Sequence, residues 1–176
     1  LVIVNGILLD GTTCTDEEIV IPNDVTSICG FAFWENHMTS VVIPDSVTSI
    51  GSYAFSDCGN LKNITIPDSV TFFGESVFTN TAWVTYRYDE NPLVIINHIL
   101  VDVDCDQCSG KVTIPDGVTS IAGGAFENCS QITEVAIPDS VNSIGSSAFF
   151  NCATLKEIAI PEGVTSIDAV TFYGCY

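Results

Sequence analysis

The stretch that decides the fold is Val41-Val-Ile-Pro-Asp-Ser-Val-Thr-Ser-Ile-Gly-Ser-Tyr-Ala-Phe-Ser-Asp-Cys58. It returns almost unchanged as Ile137-Pro-Asp-Ser-Val-Asn-Ser-Ile-Gly-Ser-Ser-Ala-Phe149, and with more changes as Ile114-Pro-Asp-Gly-Val-Thr-Ser-Ile-Ala-Gly-Gly-Ala-Phe126. The Ile-Pro steps have their prolines at 22, 44, 67, 115, 138 and 161, so most lie 22 or 23 residues apart. A fixed period of this length indicates a solenoid, because one repeat cannot bury its apolar face alone whereas stacked repeats share a core.

A second, longer repeat lies over the first. Leu1-Val-Ile-Val-Asn-Gly-Ile-Leu-Leu-Asp10 matches Leu93-Val-Ile-Ile-Asn-His-Ile-Leu-Val-Asp102 at an offset of 92 residues, which is four periods of 23. We therefore predict a single solenoid domain, residues 1–176, with internal blocks 1–92 and 93–176. Apolar runs around Asn5-Gly6 and Asn97-His98 predict a β-hairpin at the start of each block.

Within one repeat, apolar and polar residues alternate up to the proline, which predicts a strand, and Pro-Asp-Ser or Pro-Asp-Gly predicts a turn after it. The inward positions of successive repeats should then stack. One predicted column is Phe33, Phe55, Phe78, Phe126, Phe149 and Phe172. A second, which we name the ladder position, is Asn36, Cys58, Thr81, Cys129, Cys152 and Cys175.

The repeat pattern, Leu-x-x-Ile-x-Ile-Pro-x-x-Val-x-x-Ile-Gly-x-x-Ala-Phe-x-x-Cys, resembles the 23-residue leucine-rich repeat of the BspA-like, or Treponema-type, class over essentially the whole chain. The resemblance implies an α/β leucine-rich-repeat superhelix with parallel strands on a concave face and short strands or helical turns on the convex side. It also implies a secreted or surface-displayed adhesion protein of a host-associated microbe, with no catalytic residues and no cofactor.

The charge balance excludes several classes of function. Twenty-two acidic residues face four basic ones, so the net charge is −18. Nucleic-acid binding needs a basic surface, and so does attachment to an anionic membrane. No apolar run is long enough to span a membrane. No signal-peptide pattern stands at Leu1, and the chain begins inside a strand-like run, so we expect a segment of a longer protein.

The eight cysteines divide into two groups. We expect the four at the ladder position to be buried free thiols, because free Cys is among the residues most often found inside proteins. Cys14, Cys29, Cys105 and Cys108 lie off the ladder. Cys105 and Cys108 form a lone C-x-x-C, which supplies half of the four ligands that structural zinc needs, so a local bridge or two loop thiols is the better interpretation.

Asp102, Asp104 and Asp106 alternate like the start of a calcium loop, but Gln107 stands where the turn needs Gly and Thr113 where the final Glu ligand is needed. A weak calcium site or a solvated acidic loop both fit. The sequence contains no assembled catalytic motif, and we predict no enzymatic activity.

Two candidate partner-binding surfaces remain. The first is the outward face of the strands that precede each Ile-Pro, and its polar row is Glu18, Ser40, Asn63, Lys111, Glu134 and Glu157. The second is the segment 83–88, whose candidate residues are Trp83, Tyr86, Arg87 and Tyr88. Aromatic residues with Arg are typical of interfaces and sugar platforms. The alternative is that Trp83 fills space beside Thr81 and Tyr86 packs on the hairpin.

We therefore predict a non-enzymatic extracellular or cell-surface adhesion module for a host or microbial surface or matrix protein. Carbohydrate binding by residues 83–88, and a structural stalk that presents another domain, are the alternatives. The oligomeric state and the identity of the partner are not predicted.

Overall fold

The computed structural model describes residues 1–168 and 170–176 and divides them into two units, Leu1–Arg87 and Tyr88–Tyr176. The first unit contains β1 (Val2–Val4), β2 (Ile7–Asp10), β3 (Glu18–Val20), β4 (Ser27–Ile28), β5 (Ser40–Val42), β6 (Ser49–Ile50), β7 (Asn63–Thr65) and β8 (Phe72–Phe73). Helix α1 (Ala82–Glu90) joins it to β9 (Leu93–Ile96), β10 (Ile99–Val103), β11 (Gly110–Thr113), β12 (Ser120–Ile121), β13 (Ile132–Ala136), β14 (Ser143–Ile144) and β15 (Glu157–Ile158).

Each unit is a β-solenoid whose coils, one per repeat of about 23 residues, stack through parallel strands. In the first unit the strands before Ile-Pro form the sheet β3-β5-β7, and the shorter strands after the Pro-Asp turn form β1-β2-β4-β6-β8. In the second unit the corresponding sheets are β11-β13-β15 and β14-β12-β10-β9. The predicted leucine-rich-repeat fold with parallel sheets is confirmed.

Both predicted hairpins are present. β1 pairs with β2, and β9 pairs with β10, in antiparallel register. Asn5 and Gly6 have φ of 51° and 75°, and Asn97 and His98 have φ of 49° and 65°. Positive φ at both central residues is the signature of the type I′ turn, whose twist matches that of the strands it joins. His98 therefore takes the conformation that Gly6 takes at lower steric cost.

The phenylalanine column forms inside each unit. Phe33, Phe55 and Phe78 are all 0% exposed, and their rings stack at centroid distances of 5.2 and 5.8 Å. In the second unit Phe126, Phe149 and Phe172 stack at 4.9 and 5.2 Å. Burying each ring contributes roughly 1.5–3 kcal/mol, so this column is a main source of stability in each solenoid.

The third side of each coil is a turn segment that carries the Phe, and it also bonds from coil to coil. Phe33 N–H donates to Ala54 O (2.8 Å), and Phe126 N–H donates to Ala148 O (2.8 Å). The glycine after the short strand permits this close stacking, since a Cβ on Gly51 or Gly145 would clash with the backbone of the preceding coil. Successive coils are therefore held together along two strands and one turn segment.

Helix α1 was not predicted from the sequence and interrupts the repeat. Its first turn is capped by Thr81, whose Oγ1 accepts a hydrogen bond from Val84 N–H (3.1 Å). Pro92 stands two residues after Glu90, the last helical residue, and cannot continue a helix. No helix in the described part of the chain is long and apolar enough to cross a membrane.

Candidate functional site

The predicted polar row of the first unit lies on one outward face of β3-β5-β7. The parallel register places Glu18, Ser40 and Asn63 side by side, with Val20, Val42 and Thr65 beside them. The residues between the two rows face inward, and Ile19 and Val41 are 4% and 1% exposed. Val20 is 69% and Val42 is 42% exposed. We name these two aligned rows the first strand-face column.

The second unit repeats this arrangement with charged residues. Lys111, Glu134 and Glu157 align across β11-β13-β15, and Lys111 Nζ lies 2.6 Å from Glu134 Oε1. Both side chains are well exposed, so the pair contributes little to stability. Thr113 and Ala136 form the neighbouring row, which we include in the second strand-face column. The six predicted polar residues are thus divided between the two strand-face columns, three in each.

The predicted cluster at residues 83–88 lies on helix α1, and its side chains have different environments. Trp83 is 6% exposed and packs on Phe78 at a ring distance of 4.8 Å, while the Arg87 guanidinium lies 5.2 Å from the Trp83 ring centroid. Tyr88 is partly buried and hydrogen-bonds the Asp102 carboxyl. Tyr86 is 57% exposed, and the interpretation that it packs on the hairpin stays a prediction.

The three aspartates considered for calcium have different environments. Burial raises the pKa of Asp102 to about 6, although hydrogen bonds from Val103 N–H and the Tyr88 hydroxyl oppose the shift. Asp104 accepts hydrogen bonds from Asp106 N–H (3.0 Å) and the Gln107 amide (2.8 Å). Among the described residues, no group of three or more His, Cys, Asp or Glu side chains is arranged to hold a metal ion. A calcium role for this loop stays a prediction without geometric support.

The cysteines give one clear correction. Cys129, at the ladder position, forms a disulfide with Cys105, so the prediction of a free thiol at this ladder residue is wrong. The prediction of a local bridge or two free thiols in the C-x-x-C is wrong for the same reason. Cys108 is buried and free. The reason is local: the loop after β10 replaces a regular coil beside Cys129, and it places a second sulfur next to the ladder.

The other ladder cysteines, Cys58, Cys152 and Cys175, each donate a hydrogen bond to the preceding coil. Cys58 Sγ donates to Phe33 O (2.9 Å), and Cys152 Sγ donates to Phe126 O (3.0 Å). Burial raises the pKa of the Cys58 thiol to about 11 and that of the Cys152 thiol to about 12. A thiol held in this protonated state is a poor nucleophile and metal ligand, so these cysteines are structural.

One depression in the first unit has a volume of about 410 Å³. Its lining includes Cys14, Asp16, Asn36 and His37. The Asn36 amide is committed to the carbonyls of Gly11 (3.0 Å) and Cys14 (2.9 Å), and Cys14 Sγ donates to Asp16 Oδ2 (3.6 Å). Its polar groups therefore largely satisfy one another, which gives this depression no evident chemistry.

Sequence reasoning missed an exposed aromatic group on the turn segments of the first unit. The Phe31 ring stacks on Tyr53 at 5.0 Å and meets Trp34 edge-on at 6.3 Å with an interplanar angle of 90°. Phe31 is 53% and Trp34 is 42% exposed. We name Phe31, Trp34 and Tyr53 the aromatic corner. Aligning the repeats could have revealed it, because the position of Phe31 and Tyr53 holds Ser76, Gly124 and Ser147 in other coils.

Comparison with known proteins agrees with this architecture. A family model described as the BspA type leucine rich repeat region matches residues 12–99 and 104–176, with six copies. No curated protein sequence matches the chain.

Several solved structures are similar to the chain. The leucine rich repeat protein of Treponema pallidum is 26% identical with a TM-score of 0.47, over 90% of this chain and 64% of that one. A leucine rich cell surface protein of Faecalibacterium prausnitzii is 28% identical with a TM-score of 0.44, over 83% of this chain and 48% of that one. A leucine-rich repeat protein of Eubacterium ventriosum is 23% identical with a TM-score of 0.43, over 90% and 43%. The chain thus spans less than two thirds of the length of each.

Proposed function

Because this chain belongs to the BspA-type leucine-rich repeat family, we propose that it is a non-enzymatic protein-interaction module of a host-associated microbe, acting outside the cell or on its surface. The observation that supports this function best is the pair of strand-face columns. Each is an aligned, solvent-exposed array that the core does not need.

The first strand-face column has the composition of an interface. An apolar row, Val20 and Val42, lies beside a polar row, Glu18, Ser40 and Asn63. Neighbouring parallel strands are about 4.8 Å apart, so a partner meets side chains at a regular spacing on a rigid surface. Protein interfaces combine an apolar centre with a polar rim, and repeat proteins use extended sheets in this way.

The Cys105–Cys129 disulfide supports a location outside the cytosol. Disulfides persist in oxidising compartments and are rare where glutathione and thioredoxin keep thiols reduced. The net charge of −18 favours a protein partner over nucleic acid, whose phosphates would be repelled. A host or microbial surface or matrix protein fits both properties.

Carbohydrate binding by residues 83–88 has less support than protein binding. A sugar platform needs an open aromatic face, and Trp83 is buried against Phe78 with Arg87 lying over its ring. Tyr88 is partly buried as well. Of the four candidate residues, Tyr86 and Arg87 are the exposed ones, and neither supplies the broad indole face that such a site uses.

The proposal is tested by reversing charge on the second strand-face column. Glu134→Lys with Glu157→Lys should weaken binding to an immobilised panel of matrix and surface proteins at least about tenfold, because a few central residues carry most of the binding energy of an interface. Biolayer interferometry measures the change. Asp116→Lys with Glu162→Lys is the control, because it makes the same charge change at exposed turn positions away from the column. Equal losses in both variants, or none in either, would contradict a role for this column.

A further inference from the structure

The aromatic corner is an exposed feature that the solenoid does not require. Phe31 and Tyr53 have φ of 61° and 58°, in the left-handed region that bulky residues avoid. The equivalent position holds Ser76, Gly124 and Ser147, so the coil forms without an aromatic ring there. The Phe31 ring is 53% exposed and therefore gains little from burial. Because Ser76, Gly124 and Ser147 adopt the same left-handed conformation, the conformation belongs to the coil and the rings at 31 and 53 are not required by it.

The polar ends of the aromatic corner are already held by the protein. Trp34 Nε1 donates to Asp57 Oδ2 (3.0 Å), and the Tyr53 hydroxyl donates to Glu75 Oε1 (2.9 Å). Asp57 also accepts a hydrogen bond from Asn80 Nδ2 (2.7 Å). These bonds, with the Asn80 contribution the largest, lower the pKa of the Asp57 carboxyl, which therefore stays ionised. What a ligand can reach is the exposed parts of the Phe31 and Trp34 rings, together with the two anchored carboxylates.

The geometry matches a cation better than a sugar. A sugar ring stacks on one broad flat face, whereas Phe31 and Trp34 meet at 90° and form two walls of a corner. An ammonium or guanidinium group can contact both walls, because the negative faces of aromatic rings attract cations. The surrounding charge agrees, since no Lys or Arg precedes Lys62 in the chain and Glu35 is exposed on the same turn segment as Trp34.

We propose that the aromatic corner binds Lys or Arg side chains from a basic segment of a partner protein. It lies on the turn segments, apart from the strand-face columns, so this site stands or falls independently of the strand-face test above. The carboxylates of Asp57 and Glu75 supply the charge complementarity, and the rings supply selectivity for a cation over a neutral side chain of the same shape.

The test uses the full chain and a 12-residue peptide of alternating Gly and Arg. A peptide with citrulline in place of Arg is the matched neutral probe, because it keeps the shape and removes the charge. At 150 mM NaCl, the Arg peptide should shift the indole N–H resonance of Trp34, and the citrulline peptide should not. A Trp34 signal that does not move, or that moves equally with both peptides, would overturn the proposal.

Phe31→Ser gives the second measurement. It installs the residue type that the equivalent position carries at Ser76, so the fold should be kept, and circular dichroism checks this. Loss of the contact should weaken Arg-peptide binding about three- to thirty-fold by calorimetry. Tyr173→Ser, at a 63% exposed tyrosine stacked flat on Phe150, is the control and should change affinity less than twofold. Equal Arg-peptide affinities of the two variants would contradict a cation site. So would a Phe31→Ser variant that loses binding to a glycan and keeps binding to the Arg peptide.

Discussion

At the ladder position each coil uses one small polar side chain, and the donor matters more than the residue type. Cys58 and Cys152 donate from sulfur to a carbonyl of the preceding coil, and Asn36 does the same from its amide to Gly11 O. Thr81 donates to Phe78 O of its own turn, beside the start of α1. A buried carbonyl left without a donor costs about 1–3 kcal/mol, which explains why few residue types occur at the ladder position.

The ionisation of Asp102 affects stability near neutral pH. Its pKa is raised from 3.8 to about 6, mainly by burial, so the folded state holds the proton more tightly than the unfolded chain does. The stability associated with the protonated carboxyl is complete below about pH 4 and is lost as the pH rises through about 6. Ionised Asp102 is therefore a cost at neutral pH.

Asp102→Asn removes this cost. Because the shift is about two pH units, we expect the variant to gain at most about 3 kcal/mol in the free energy of unfolding at pH 8, and less at pH 5. Urea unfolding at the two pH values measures the difference. Asp106→Asn, an exposed neighbour, should follow the wild type. A variant that keeps the wild-type dependence on pH would show that Asp102 is not the titrating group.

At the scale of elements, the repeat determines which structures can be predicted. The strands, both hairpins and the phenylalanine column follow from alternation, from the two-residue turns and from period 23, since each is set by its own coil and its neighbours. Helix α1 and the loop after β10 follow no period, so their contacts depend on what surrounds them. For that reason the helix itself and the bridge between Cys105 and Cys129 could not be predicted from the pattern, whereas the burial of Trp83 agrees with the interpretation that it fills space beside Thr81.

The same distinction applies to the candidate sites. Strand register follows from the repeat, so the alignment of residues within each strand-face column could be predicted, whereas partner binding by these columns stays a prediction. The aromatic corner depends on the left-handed turn conformation of Phe31 and Tyr53, which bulky residues rarely adopt and which the sequence alone did not indicate. Its rings also touch across coils, between residues that are distant in sequence.

The Cys105–Cys129 disulfide should stabilise the second unit. It closes a loop with a sequence separation of 24 residues, for which the chain-entropy model gives about 3 kcal/mol. We expect the double variant Cys105→Ala, Cys129→Ala to lower the free energy of unfolding by about this amount. Dithiothreitol should lower the melting temperature of the wild type and leave that of the double variant unchanged.

Mass spectrometry provides the independent check on this bond. Alkylation in denaturant without reductant should modify six of the eight cysteines, and eight after reduction. Eight modified cysteines before reduction would show that the disulfide is absent from the protein in solution.

At the scale of the whole molecule, the dominant property is the charge of −18. Like charges repel in the compact state more than in the expanded unfolded chain, and salt screens them. Raising NaCl from 10 to 150 mM at pH 8 should therefore increase the free energy of unfolding by on the order of 1 kcal/mol.

Thermal unfolding followed by circular dichroism measures this salt effect. At pH 4.5, near the isoelectric point of about 4.1, the net charge is small and the same salt step should have little effect. An equal response at both pH values would mean that salt acts on burial of apolar surface and not on charge repulsion.

The left-handed turn position has a consequence for engineering. Phe31, Tyr53, Ser76, Gly124 and Ser147 all occupy it with φ between 48° and 70°, although their side chains have little in common. The backbone there is imposed by the hydrogen bonds between coils, so the side chain is free to vary. A library randomised at these five codons would change the recognition surface. The core sequence, which determines the fold, would stay the same. The solenoid is in this sense a display scaffold with interchangeable surface residues.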